Sequence, residues 1–149
     1  MMTNERPAPR TARVLSYGEA RLLLEAALAK AEEISVPASV AILDAAREVV
    51  AFARQDRAPL LTGEIAAGKA YTAASLRQPS GDLAAPTSPT GPFFGLAHGS
   101  RRELVTFAGG HPLMIDGEVV GAIGASGGSL EEDEAIASAA VALFEGWNR

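Results

Sequence analysis

Two histidines, His98 and His111, are the only imidazoles in the chain. A single lysine, Lys69, interrupts a run of small apolar residues, AAGKAYTAAS. Imidazole serves as general acid or base near neutral pH, and its neutral form ligates metals through one ring nitrogen. His111 stands between Gly109-Gly110 and Pro112. A glycine doublet can turn its backbone N–H groups toward a carboxylate or oxyanion. The plainer readings are a turn that needs positive φ for the doublet, a strand-start histidine bonded to backbone for His111, and a solvent-exposed loop histidine for His98. Lys69 can point into a pocket and hold a carboxylate, or carry its ammonium out to water along an apolar stem. Tyr71 and Thr72 follow on the same segment, and Arg77 can hold an acidic group in the same way. Asp44 ends a strand-like run; buried, it needs a partner such as Lys69 or the amides of a neighbouring turn. Glu131 and Glu134 form an E-x-x-E pair that could bind a hard cation. Its plainer reading is carboxylates that complement a helix dipole on a solvated face.

The elements that position these residues read from pattern and punctuation. Phe107 to Gly128 is a Gly-Gly turn, a strand, an Asp116-Gly117 turn of type I′, a second strand and a glycine-rich exit. With that turn Ile115 faces Glu118, Leu113 faces Val120 and His111 faces Ala122. The second strand, Val119 to Ala125, is apolar on both faces and reads as central. Gly121 and Gly124 within it predict a close approach to the backbone.

Upstream, Ser16-Tyr17-Gly18-Glu19 is a capping box that opens a helix over 17–34. Ala38 to Asp44 and Glu48 to Arg54 form a first hairpin around Asp44-Ala45-Ala46-Arg47. Thr62 is the expected cap of a second helix over 63–76, stopped by Pro79. Residues 78–100 form a proline-rich loop, longer than ordinary connections and therefore functional or docked. Short helical turns are expected in it, with Phe93, Phe94 and Leu96 packed down. Glu103 to Phe107 reads as a further strand. Ser129-Leu130-Glu131-Glu132 is a second capping box, opening a last helix over 130–147. The order is α-ββ-α-loop-βββ-α, an α+β chain with a five-stranded antiparallel sheet covered by helices as an α/β/α sandwich. Residues 1–13 read as a disordered tail, and 14–149 as one domain.

Composition narrows the function classes. Apolar residues make up 48% of the 149, which supports a core and excludes global disorder. The net charge of −5, with no basic stripe, argues against nucleic acid. The absence of cysteine excludes disulfides, thiolate chemistry and iron–sulfur clusters. No apolar run is long enough for a membrane span, and the expected compartment is the cytoplasm. There is no P-loop, Ser-His-Asp order or dinucleotide fingerprint.

Several segments together resemble a known family. They are SVAILDAAREVVAFAR, APLLT, IAAGKAYTAA, PFFGL and GGHPLMIDGEVVGAIGASGG followed by EEDEAIA. The chain resembles the GlcG/HbpS-like domain, also found at the C-terminus of PduO-type proteins, over about residues 14 to 146. The resemblance implies a profilin-like α-β-α fold, self-association into homodimers or larger homo-oligomers, and in some members haem binding, haem degradation or iron binding. The family's common Asp-Ala-Gly-Gly turn is Asp44-Ala45-Ala46-Arg47 here, and its often aliphatic position after Gly-Gly is His111.

Two functional readings follow, with an oligomeric accessory protein without chemistry as a third. The first is a small-molecule or haem-binding protein with a pocket between the second helix, the proline-rich loop and the turn Gly109 to Pro112. Lys69 and Arg77 would hold an acidic group, Asp44, Tyr71, Thr72, Gly109, Gly110 and Pro112 would line the ligand, and Phe93 and Phe94 would form an apolar wall. His111 or His98 would contact haem iron or substrate. The second is a cofactor-free isomerase, lyase or cyclase, with His111 as base and Lys69 or the glycine amides stabilising developing negative charge.

Overall fold

The computed structural model describes residues 5–149. Of the predicted tail, residues 1–4 lie outside the described residues, and 5–14 run without secondary structure to the buried Leu15. The first helix, α1 (Tyr17–Glu33), begins at the expected capping box: Glu19 N–H donates to Ser16 Oγ at 3.2 Å, and Ser16 N–H donates to the Glu19 carboxylate at 2.9 Å. That backbone bond holds the Glu19 carboxyl below the usual carboxylate range. Its contribution is whole above the ordinary carboxylate pKa and is lost as pH falls through the lowered one. Glu19→Gln should therefore flatten the acid dependence of thermal unfolding between about pH 5 and 3.

The hairpin of β1 (Ser39–Asp44) and β2 (Val49–Arg54) leads to α2 (Leu61–Leu76). A second hairpin of β3 (Gly110–Ile115) and β4 (Glu118–Ser126) leads to α3 (Leu130–Trp147), which opens on the Ser129/Glu132 capping box. The sheet is antiparallel with order β2-β1-β4-β3. The two strands apolar on both sides, β1 and β4, thus sit in the middle. Val40 and Ile42 of β1, with Leu113, Ile123 and Ala125, face α1 and α3. Ala41, Leu43 and Ala122 face Ala66 and Ala70 of α2 on the other side. Alternation along each strand produces two thin cores from small residues.

Among the described residues four strands form, not five. Residues 103–107 carry strand-like residues but make no ladder, because other groups take their backbone. Leu104 N–H donates to Ala97 O and Val105 N–H to Thr72 Oγ1, while Phe107 O accepts from Ser80 Oγ. The segment lies across α2, with Val105 against Gly68. Thr62 does not cap α2. It lies inside the first turn, donating from Oγ1 to Pro59 O at 2.6 Å and touching Ser39 Oγ at 2.8 Å. The long loop does hold two short 3₁₀ turns, Ser80–Leu83 and Leu96–His98. Phe93 and Phe94 do not dock on it; they are 60% and 68% exposed.

The β3–β4 turn has Asp116 at φ +50° and Gly117 at φ +77°, as a type I′ turn requires. Beyond Met114 the register slips: Leu113 pairs with Gly121, Pro112 with Ala122 and His111 with Ile123. Val120 is the extra residue of a β-bulge, and its carbonyl accepts from Leu15 N–H at 3.1 Å. The predicted partner of His111, Ala122, faces α2; its actual partner, Ile123, faces α3. One bulge therefore carries His111 to the opposite face of the sheet.

Close approach explains Gly124. A Cβ there would lie 1.9 Å from Ala66 O, so the α2 backbone rests directly on β4. Gly124→Ala should destabilise the fold by about 1–3 kcal/mol or more through overpacking. A lowered urea midpoint with an unchanged slope would show it.

Candidate functional site

The α3 capping box sets the register of the helix start, and with it the direction of two adjacent carboxylates. Asp133 turns inward. Its Oδ1 accepts the N–H groups of Gly127 and Gly128, both at 2.9 Å, and its Oδ2 meets Lys69 Nζ at 2.7 Å. Lys69 also donates to Ala125 O at 2.9 Å. Its side chain is 1% exposed and that of Asp133 5%. Lys69 therefore ties α2 to β4 and α3 across the sheet, and its charge is committed to Asp133 rather than to an open pocket or to Asp44. Asp44 instead closes its own turn, its Oδ1 accepting from Ala46 N–H at 2.8 Å and Glu48 N–H at 3.1 Å.

Glu134 reaches the other way. One oxygen accepts from Gly109 N–H at 2.9 Å, and the other lies 2.5 Å from His111 Nε2. A carboxylate only accepts, so Nε2 donates and the neutral ring keeps its lone pair on Nδ1. Nδ1 has no hydrogen-bond partner among the described residues and is not sealed from solvent. The His111 side chain is 17% exposed and that of Glu134 40%. The result is an imidazole clamped through Nε2, with Nδ1 left unpaired among the described residues.

The glycine doublet sits against both acidic residues. Gly109 has φ +112°, and a Cβ there would meet Ala125 O at 2.8 Å and Asp133 Cβ at 3.0 Å. Its N–H goes to Glu134, and that of Gly110 goes to Ser80 Oγ at 2.9 Å. Neither amide is offered to a ligand, so the predicted anion-binding doublet is closed by the protein's own side chains.

The remaining predicted residues do not converge on His111. Thr72 Oγ1 donates to Gly68 O and accepts from Val105 N–H, both at 2.8 Å. Arg77 adopts φ +59° at the end of α2 and donates to Gly117 O in the hairpin turn. Tyr71 lies beneath the guanidinium groups of Arg47 and Arg102. His98 pairs with Glu103 at 3.2 Å in solvent. Pro112 is half-buried on the edge strand next to His111, where its missing N–H costs no ladder bond. Two concavities stand out. One, of about 300 Å³, lies between Glu32–Pro37 and Gln55–Arg57; the other, of about 490 Å³, lies between Arg10–Arg13 and the β3–β4 turn. None of the predicted site residues lines either.

Sequence reasoning missed Glu134 as the partner of His111, pairing it with Glu131 instead. Among the described residues no group of three or more His, Asp or Glu side chains is placed to hold a metal ion. The available signal was the Ser129-x-x-Glu132 box, which fixes the direction in which Asp133 and Glu134 face.

The family model for the haem degrading protein HbpS-like matches residues 15–142. This chain belongs to the HbpS-like family. A 15.0 kDa protein from the dhaT-dhaS intergenic region of Citrobacter freundii is 33% identical over 130 residues, covering 87% of this chain and 92% of that protein. The corrinoid adenosyltransferase PduO of Citrobacter freundii is 36% identical over 130 residues, but this HbpS-like chain spans only 39% of its length. The structure of Klebsiella pneumoniae protein ORFY superposes with a TM-score of 0.88 at 26% identity, over 97% of both chains. A PduOC–haem complex gives 0.82 at 35% identity, over 87% of this chain and 94% of that one. A double mutant of Streptomyces reticuli HbpS gives 0.77 at 29% identity, over 93% of this chain and 98% of that one.

Proposed function

We propose that this HbpS-like chain binds a small molecule, haem foremost, on the face that carries His111. The single observation behind the reading is the His111–Glu134 pair: an imidazole oriented by a carboxylate through Nε2, with Nδ1 free of hydrogen bonds among the described residues. That donor set fits an iron centre, because a carboxylate on the far nitrogen fixes the tautomer and the ring plane of a ligating histidine. His111 would hold the iron of a bound haem through Nδ1, and the haem would supply that iron centre. Glu134 holds the ring, Gly109 holds Glu134, and Pro112 restricts the strand beside them. A haem complex of a relative 35% identical to this chain supports the choice of ligand.

The enzyme reading, with His111 as base, uses the same pair but lacks its helpers. Lys69 Nζ and the amides of Gly109 and Gly110 are already engaged by Asp133, Glu134 and Ser80. Binding is therefore the reading we favour. Self-association is part of the proposal: Phe52, Leu60, Leu61, Phe93 and Phe94 are all exposed and offer apolar surface to a second copy. No helix among the described residues is long and apolar enough to cross a membrane; a cytoplasmic setting is part of the proposal.

Titration of the purified chain with haem tests this directly. The expected result is a Soret shift saturating at one haem per chain and absent in His111→Ala. An unshifted Soret band in the wild-type protein would end the haem reading.

A further inference from the structure

A second cluster uses none of the groups around His111. Arg47 closes the β1–β2 turn with φ +69°, a left-handed conformation in which an arginine is strained and glycine is not. Its guanidinium carbon lies 5.0 Å from the Tyr71 ring centroid, and its Nη1 donates to Tyr71 Oη and Ser75 Oγ, both at 3.2 Å. Arg102 comes from the far end of the long loop. Its guanidinium carbon lies 3.9 Å from the same centroid, and its Nη1 donates to Arg47 O at 3.5 Å. Two cations are thus braced on one ring that is itself only 8% exposed.

The two charges are set close together on one ring at the exposed surface, and no counter-charge is provided among the described residues. Neither arginine forms an ion pair there. Each keeps Nε and Nη2 free of protein hydrogen bonds. That edge of a guanidinium matches the two oxygens of a carboxylate or phosphate. Stacking on Tyr71 holds both forks in place before any ligand arrives, which lowers the ordering cost of binding. The left-handed backbone at Arg47 places a charged fork where a glycine would fit without strain.

We propose that Arg47 and Arg102, braced on Tyr71, form an oxyanion-binding site for the carboxylate or phosphate group of a small ligand. The test uses the full chain, labelled with ¹⁵N, titrated separately with inorganic phosphate and with succinate at ionic strength held constant by sodium chloride. Saturable shifts are expected at the Nε–H signals of Arg47 and Arg102. Saturation by phosphate alone marks a phosphate site, and saturation by succinate alone a carboxylate site. Arg47→Gly suits the backbone and should fold, yet weaken binding at least about tenfold. Arg102→Lys keeps the charge, loses the fork and should weaken binding as well, which covers the case of a misfolded Arg47 variant. Absence of saturable shifts, or unchanged affinity in both variants, would overturn the proposal and leave the arginines serving the C-terminal carbonyls of α2. No haem enters this experiment, so its failure is distinct from failure of the haem reading.

Discussion

Lys69→Met is expected to destabilise the protein by about 3–5 kcal/mol, because it leaves the Asp133 carboxylate buried without its counter-charge. The pair is enclosed on all sides: Lys69 is the largest fully buried side chain and Asp133 is 4% exposed. Its attachments are mechanical as well as electrostatic. Lys69 is on α2, Ala125 on β4, and Asp133 on α3, while Asp133 also fixes the Gly127-Gly128 turn. Urea unfolding at neutral pH measures the effect. Adding Asp133→Asn to Lys69→Met removes the stranded charge and keeps an oxygen for the two glycine amides. The double variant should therefore recover at least about 1–2 kcal/mol of the loss. A Lys69→Met protein within about 1 kcal/mol of the wild type, the size of an ordinary surface change, would mean that the pair is not what joins the three layers.

Glu134→Gln should weaken haem binding about 10–100-fold, the usual effect of removing the group that orients a metal-ligating histidine. Glutamine can still accept from His111 through its amide oxygen, but the charge is gone. His111→Ala should remove the Soret shift altogether. Glu134 is 40% exposed in its side chain, so Glu134→Gln is not expected to lose much stability, and an equal unfolding midpoint would separate ligand loss from misfolding. A Glu134→Gln protein that binds haem like the wild type would leave Glu134 a structural partner of Gly109 only.

Much of the architecture was legible in local chemistry. Both capping boxes lie where Ser16/Glu19 and Ser129/Glu132 place them, and the Asp116-Gly117 turn has the positive φ angles that its residues predict. Gly124 signalled the approach of α2 because a strand interior without a side chain implies a neighbouring backbone. What escaped was decided by tertiary competition. Residues 103–107 have strand propensity, but Thr72 Oγ1 and Ala97 O take the N–H groups a ladder would need. The bulge at Val120 leaves no mark in a continuous apolar strand, yet it decides which face His111 occupies. The site suffered from the same cause. Lys69, His111 and the glycine doublet are close in space, as read, but their functional groups point to Asp133, Glu134 and Ser80. A lone lysine in a run of alanines read equally as a pocket cation and as one that reaches water; only the fold shows that it is buried against Asp133.

The most direct test of the central claim reads His111 itself. Long-range ¹H–¹⁵N NMR of the ligand-free chain should show the Nε2–H tautomer, with Nε2 bonded to Glu134. One equivalent of gallium protoporphyrin, a diamagnetic stand-in for haem, should then shift the Nδ1 resonance and leave Nε2 bonded to Glu134. A His111 Nδ1 signal unmoved while the porphyrin binds elsewhere on the chain would contradict the account.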